Sequence, residues 1–273
     1  MTRSRFRSFS PFPAVFALAL LGAGCDISVG DHGFSMDIVS GKAQDEWTRT
    51  YTISPGGRLA IVNINGTIDA SPADGGQVEV KAERLVKART DEAAQEFLKQ
   101  MEIVEDVSAA GVRLETKAPR TRGTSQQVRY TVRVPRGLAV NFETTNGRVR
   151  LENLDGEIVA STTNGGVTGT GLRGAVNAST TNGGVQIEMA AVTGAIDLET
   201  TNGGIRLQLP HDVKANLEAR CVNGGISVSG FDLQGESTRR RVSGAINGGG
   251  PQVSVETTNG GVRISAAGTS TTN

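Results

Sequence analysis

Aromatic side chains are scarce in this chain: Phe, Tyr and Trp make up 4% of 273 residues. That excludes a core built on large rings and leaves small and β-branched residues to fill the interior. Charge of one sign is also missing. The 28 Lys and Arg balance 28 Asp and Glu, so no net field favours nucleic acid or an anionic membrane surface. Histidine occurs twice, as His32 and His211, and neither lies near a nucleophile it could activate. The longest apolar run, Ala14 to Leu21, has eight residues, whereas a membrane-spanning helix needs about 20.

Glycine is abundant, with 36 copies where roughly 19 are expected at about 7 per cent. No Gly-X-Y period accompanies it, which excludes collagen, and apolar residues at 37% argue against global disorder. A repeat array fits both figures.

The N-terminus reads as an export signal over 1–24. Arg3, Arg5 and Arg7 form a basic head, Ala14–Leu21 the apolar core, and Gly22-Ala23-Gly24-Cys25 a small-residue cleavage site. Removing these residues leaves 25 basic against 28 acidic side chains. The segment resembles bacterial lipoprotein signals, which implies lipidation at Cys25 and attachment to a membrane through that lipid. Gly22 occupies the slot those signals prefer to fill with leucine. Asp26 follows the cysteine, a hint of retention in the inner membrane in enteric bacteria. Residues 25–44, rich in Gly, Ser and Asp, read as a lipidated tether.

A six-residue turn recurs as Thr144 to Val149, Thr162 to Val167, Thr180 to Val185, Thr200 to Ile205, Cys221 to Ile226 and Thr257 to Val262. Six copies exclude chance. Asn146, Asn164, Asn182, Asn202 and Asn223 are 18, 18, 20 and 21 residues apart, and Asn259 follows after 36, twice the basic period. A second punctuation half a coil on, as in Leu172-Arg173-Gly174, gives each coil two main strands. Regular period and constant parity favour coils over a hairpin meander, although Asn-Gly alone signals a hairpin. The expected fold is all-β: a single-stranded parallel β-solenoid with 18–21-residue coils.

Strand parity assigns the core. Val140-Phe142, Ile158-Ala160, Val176-Ala178 and Ile196-Leu198 precede the turns, and Val149-Leu151, Val185-Ile187 and Ile205-Leu207 follow them. Continued through the turn, this parity puts the first threonine and the asparagine inside and the second threonine outside. Asn146, Asn164, Asn182, Asn202, Asn223 and Asn259 are then expected to form a buried ladder of amides stacked about 4.8 Å apart. The glycines after them are expected to supply positive φ at a sharp corner.

Residues 45–140 form a less regular, β-rich capping part. Ile61 to Ile68 is a degenerate copy of the turn, strands are predicted at 110–117 and 127–134, and a helix is predicted near 90–101. There Thr90 caps and Ala93, Phe97, Leu98 and Met101 share a face. The regular array occupies 141–265, interrupted by an irregular arm at 231–250 that carries Arg239, Arg240 and Arg241. The arm is read either as an interaction element or, more simply, as a charged segment protecting a sheet edge. The tail 266–273 is predicted to fray.

The coil motif, the lipoprotein-type start and the segment Gly248 to Val262 resemble the bacterial putative-adhesin domain family. The resemblance covers roughly 50–265. It implies a β-helical, right-handed fold and, from the family's name, surface adhesion, with no cofactor. The competing class is a carbohydrate-active β-helix enzyme, which needs carboxylates aligned on adjacent coils. In sequence order the outward row reads Glu143, Ser161, Ser179, Glu199, Arg220, Glu256, with no two neighbouring coils both acidic. The turns carry no aspartate, which argues against calcium β-roll sites and leaves no metal assigned. The outward Thr145, Thr163, Thr181, Thr201 and Thr258, interrupted by Val222, reflect β-propensity. Cys221 replaces an inward threonine and is expected as a buried free thiol. The function read from all this is a noncatalytic envelope scaffold whose partner is an envelope protein or glycan.

Overall fold

The computed structural model describes residues 41–108, 111–119 and 122–267. A ten-stranded and an eleven-stranded sheet share one apolar core. The repeat builds the middle of both sheets, because each Thr-Thr-Asn-Gly-Gly-Val turn carries the chain from one sheet to the other. One coil is therefore a pair of strands joined at that corner.

Seven such coils stack in parallel. In spatial order they are Arg58–Asn65 with Ile68–Pro72, Ala139–Asn146 with Val149–Glu152, Ile158–Asn164 with Val167–Arg173, and Val176–Asn182 with Val185–Ala191. Then come Ile196–Asn202 with Ile205–Leu209, Gln252–Asn259 with Val262–Ala266, and Ala215–Asn223 with Ile226–Ser229. Equivalent turn positions stay in register, as in Thr162 opposite Thr180 and Asn164 opposite Asn182. One inward column runs Ile61, Phe142, Ala160, Ala178, Leu198, Val255 and Ala219, all buried. The column mixes large and small residues, with Ala160 and Ala178 stacked next to Phe142 and Leu198, so bulk on one coil is offset by small side chains on the next.

Two expectations are corrected. The coils are not stacked in chain order: the last one in sequence, Gln252–Ala266, inserts between the fifth and the seventh. The 36-residue gap before Asn259 is therefore an excursion and a return. Nor is the fold a single-stranded parallel solenoid, because the sheets are mixed. Gly41–Tyr51, Val78–Ala88 and Ser125–Val134 pair antiparallel at one end of their sheet. Glu102–Ser108 pairs antiparallel with Gly111–Lys117, and Ala215–Asn223 continues antiparallel into Arg241–Ile246 and Leu233–Ser237. Chain length explains the hairpins: a two-residue connection at 109–110 and a three-residue one at 238–240 are far too short for a parallel crossover, which takes a dozen residues or more.

The helix spans Asp91–Gln100, with Thr90 as N-cap accepting from Ala93 N–H at 3.2 Å. Asp91 and Glu92 in the first turn and Lys99 in the last complement the helix dipole. Its buried face is Ala94, Phe97 and Leu98, so Ala94 takes the place expected of Ala93. Residues 41–44, assigned to the tether, already belong to a strand paired with Leu85–Ala88. The signal 1–24, Cys25, Asp26, the tether up to residue 40 and the tail from 268 lie outside the described residues. Among the described residues no helix is long and apolar enough to cross a membrane.

Candidate functional site

The corner of the coil stack is where the repeat puts its polar groups, and each type has one task. The first threonine points inward and its hydroxyl donates to a glycine carbonyl of the neighbouring coil. Thr144 reaches Gly66 O at 3.1 Å, Thr162 reaches Gly147 O at 2.9 Å, Thr180 reaches Gly165 O at 2.9 Å, Thr200 reaches Gly183 O at 2.9 Å, and Thr257 reaches Gly203 O at 3.0 Å. In the seventh coil Cys221 does the same, its Sγ lying 3.0 Å from Gly260 O. The buried thiol thus stands in for a hydroxyl.

The asparagines form one continuous chain of amides in spatial order. Asn146 donates to Asn65 at 2.7 Å, Asn164 to Asn146 at 2.8 Å, Asn182 to Asn164 at 2.9 Å, Asn202 to Asn182 at 3.0 Å, Asn259 to Asn202 at 2.9 Å and Asn223 to Asn259 at 2.9 Å. The ladder is not buried as expected: every one of the six repeat asparagines is exposed. The chain is already turning at this position, so alternation no longer directs the side chain into the core, and the amides line the rim where water reaches them.

The first glycine of each pair is explained by proximity more than by φ. An added Cβ would fall 1.9 Å from Gly66 O at Gly147, 1.8 Å from Gly147 O at Gly165 and 1.7 Å from Gly165 O at Gly183. Gly147 and Gly183 lie outside the left-handed φ range, yet meet the same backbone overlap. The absence of a side chain is what lets one corner nest on the next.

Two shallow tracks flank this corner. Before the turn, a groove of about 390 Å³ is lined by Glu143, Ser161, Ser179 and Glu199 together with the exposed threonines Thr145, Thr163, Thr181 and Thr201. It is hydroxyl-rich and acidic. After the turn, a groove of about 810 Å³ runs over Gly166, Gly184, Gly204, Gly261 and Gly225 and is bordered by Arg148, Arg206 and Arg263. No acidic residue lines it. The corner therefore separates charges of opposite sign.

The inserted coil also changes the acidic row. Glu199 stands directly opposite Glu256 on the adjacent strand, and Glu256 opposite Arg220. The reading that no two neighbouring coils supply carboxylates is overturned, because it assumed that coils stack in chain order. Both glutamates do occupy the outward row expected from parity, and only their neighbours differ. The signal for the basic track in the sequence is an arginine directly after the core residue that restarts two of the strands, Arg206 after Ile205 and Arg263 after Val262.

Arg239, Arg240 and Arg241 belong to the hairpin that ends the stack. The carbonyls of Arg239 and Arg240 accept from Ile226 and Cys221 N–H at 2.9 and 3.0 Å, and the Arg241 guanidinium lies 3.6 Å from Glu218. The arm's backbone thereby closes donors of the seventh coil, while the side chains of Arg239 and Arg240 are exposed. His211 lies in an exposed loop, its carbonyl accepting from Asn247 at 3.2 Å. Among the described residues no group of three or more His, Cys, Asp or Glu is arranged to hold a metal ion.

A mixed two-sheet fold with nested glycine corners defines a structural class of repeat domain. The chain belongs to the Toastrack DUF4097 family, whose model matches residues 58–265. No curated protein matches it. Among solved structures it is similar to a putative cell adhesion protein from Clostridium sporogenes, at 14% identity over 81% of this chain and 100% of that one, with a TM-score of 0.49. It is also similar to a putative adhesin from Bacteroides fragilis, at 12% identity over 81% and 97% of the two chains, with a TM-score of 0.29.

Proposed function

We propose that this chain is a noncatalytic envelope protein, held at a membrane by lipid on Cys25, whose coil stack presents a rigid interaction surface to another envelope component. The observation that carries the reading is the corner. The same exposed positions recur coil after coil in fixed register, which gives an extended, preorganised polar surface that loses little entropy on engagement. The names of the similar structures point towards adhesion, and an N-terminal lipid with a short tether would place such a surface close to a membrane.

The test is recovery of partners from crosslinked cells that produce the full chain, together with mass spectrometry of its mature N-terminus. A diacylated or triacylated Cys25 and a reproducible envelope partner are the expected results. An unmodified mature N-terminus downstream of Cys25 removes the lipid anchor, and recovery of no envelope component removes the interaction role.

Glu199 and Glu256 give a specific reason to keep a second reading, a carbohydrate-active enzyme. Paired carboxylates are the working parts of glycoside hydrolysis. Incubating purified protein with envelope polysaccharides and assaying new reducing ends separates the two readings. Release that disappears in Glu199→Gln and Glu256→Gln would establish catalysis in place of the scaffold.

A further inference from the structure

We propose that the arginine-bordered glycine track binds a linear acidic polysaccharide bearing carboxylate groups, laid along the coil stack. This rests on the corner being an interaction surface and names the chemistry of what it takes. Three observations support it.

The first is unpartnered charge. Arg49, Arg58, Arg84, Arg136, Arg220 and Arg241 all have a carboxylate within ion-pair distance. Among the described residues no acidic side chain lies within that distance of Arg148, Arg206 or Arg263, although all three are exposed on the same groove. Such cations attract an anion from outside the chain. At the far end Arg239 extends the track, its Cγ and Nε lying 3.9 Å from where a Cβ on Gly225 would sit.

The second is shape. The glycine floor lacks side chains over the coils from the third to the seventh, so a ligand can lie lengthwise against the backbone. Arg206 and Arg263 are in direct register on adjacent strands, about 4.8 Å apart at the backbone, and Arg148 is three coils away, or roughly 14 Å. The pattern suits a polymer whose charges recur along an extended chain.

The third is what lies between the cations. Thr168, Gln186 and Ser227 occupy the same outward row and offer hydrogen bonds suited to sugar hydroxyls. No aromatic residue lines the track, so there is no platform on which nucleic-acid bases could stack. Guanidinium groups match planar carboxylates in bidentate geometry, which favours uronate-type sugars as the charged units.

The experiment is calorimetric titration of the exported chain with oligogalacturonate, with its methyl ester as the uncharged isostere, and with polyphosphate and single-stranded DNA as other polyanions. Oligogalacturonate is expected to bind, and the ester to bind at least about tenfold more weakly, a difference of ~1.4 kcal/mol. Affinity should fall as salt rises. Arg206→Gln with Arg263→Gln should lose about tenfold or more with an unchanged melting temperature, since both positions are exposed, while Glu143→Gln in the other track should leave binding intact. Equal binding of acid and ester, an unaffected arginine variant, or polyphosphate or DNA binding as tightly as the uronate would each overturn the proposal. If none of these polymers binds while crosslinking still recovers an envelope partner, only this inference fails. If no partner of any kind is recovered, the interaction role fails with it.

Discussion

The N-terminal block, made of the strands Gly41–Tyr51, Val78–Ala88, Glu102–Ser108, Gly111–Lys117 and Ser125–Val134 with the helix, buries polar groups in the opposite way to the coil stack. In the block, several buried or half-buried polar groups are met one at a time, each by a different partner. The Tyr130 hydroxyl meets that of Thr116 at 2.7 Å, Arg84 joins Asp45 and donates to Met101 O at 2.7 Å, and Tyr51 donates to Glu105 at 2.5 Å. Both tyrosines of the chain lie there. In the stack, one solution is repeated: a hydroxyl on a glycine carbonyl, an amide on an amide. The block is thus a set of separate bonds, each repairable or breakable alone. The stack is a chain of identical joints, where each coil's fit depends on both neighbours.

That difference is broken most severely by removing the inserted coil. Ending the chain at Gly250 deletes Gln252–Ala266, which supplies strands to both sheets between the fifth and seventh coils. The expected outcome is loss of cooperative unfolding in the stack, while amides of Val78–Ala88 in the block keep their protection in hydrogen exchange. Ending at Ala267 removes no described strand and should leave the melting curve unchanged.

Next comes the nesting itself. Gly183→Ala places a Cβ 1.7 Å from the Gly165 carbonyl, an overlap with backbone that no side-chain rotation relieves, and should cost about 3 kcal/mol or more. Gly225→Ala meets only ordinary contacts at 3.9 Å and should stay within about 0.5 kcal/mol of the parent. Denaturant titration of the pair tests whether proximity is what fixes glycine at the first position.

Alkaline pH should act on the block instead. Burial pushes the Tyr130 hydroxyl up to about 12 from its ordinary 10.0, and burial together with the hydrogen bond to Glu105 raises that of Tyr51. Between these values the unfolded chain releases protons that the folded chain retains. Stability is therefore fully present below about pH 10 and falls as pH rises towards 12. The Tyr130 contribution is on the order of 1 to 3 kcal/mol. Tyr130→Phe should flatten the pH dependence of unfolding over this window. An unchanged slope would mean that the ring is not held as the structure places it.

Much of this was legible in the residues. The corner motif, the inward threonines and the core columns follow from parity alone, because a two-residue period and a fixed turn leave little freedom. Neighbour order was not legible. Val253-Val255 and Leu217-Ala219 present equivalent apolar columns to Ile196-Leu198, so local pattern cannot say which coil lies next, and the Glu199–Glu256 pairing was hidden with it. The hairpins escaped for a related reason. Glu102–Ser108 and Leu233–Ser237 are exposed on most positions, which removes the alternation that marks a half-buried strand. The rim position of the asparagines escapes parity because each is the last residue of its strand, where the chain already bends into the corner.

The smallest expected effects separate the two ladders of the stack. Thr180→Val keeps the shape but leaves the half-buried Gly165 carbonyl without its hydroxyl donor, at about 1 to 2 kcal/mol. Cys221→Thr restores the repeat's own donor where a thiol now makes the weaker bond, and should be neutral or stabilise by about 0.5 kcal/mol. Asn182→Ala breaks two amide bonds, to Asn164 and from Asn202, which a buried ladder would feel strongly. Because the amides are exposed, water replaces the lost partners, and the cost should be about 0.5 to 1 kcal/mol, less than for Thr180→Val measured in the same way. The reverse order would mean that the rim amides, more than the inward hydroxyls, hold adjacent coils together.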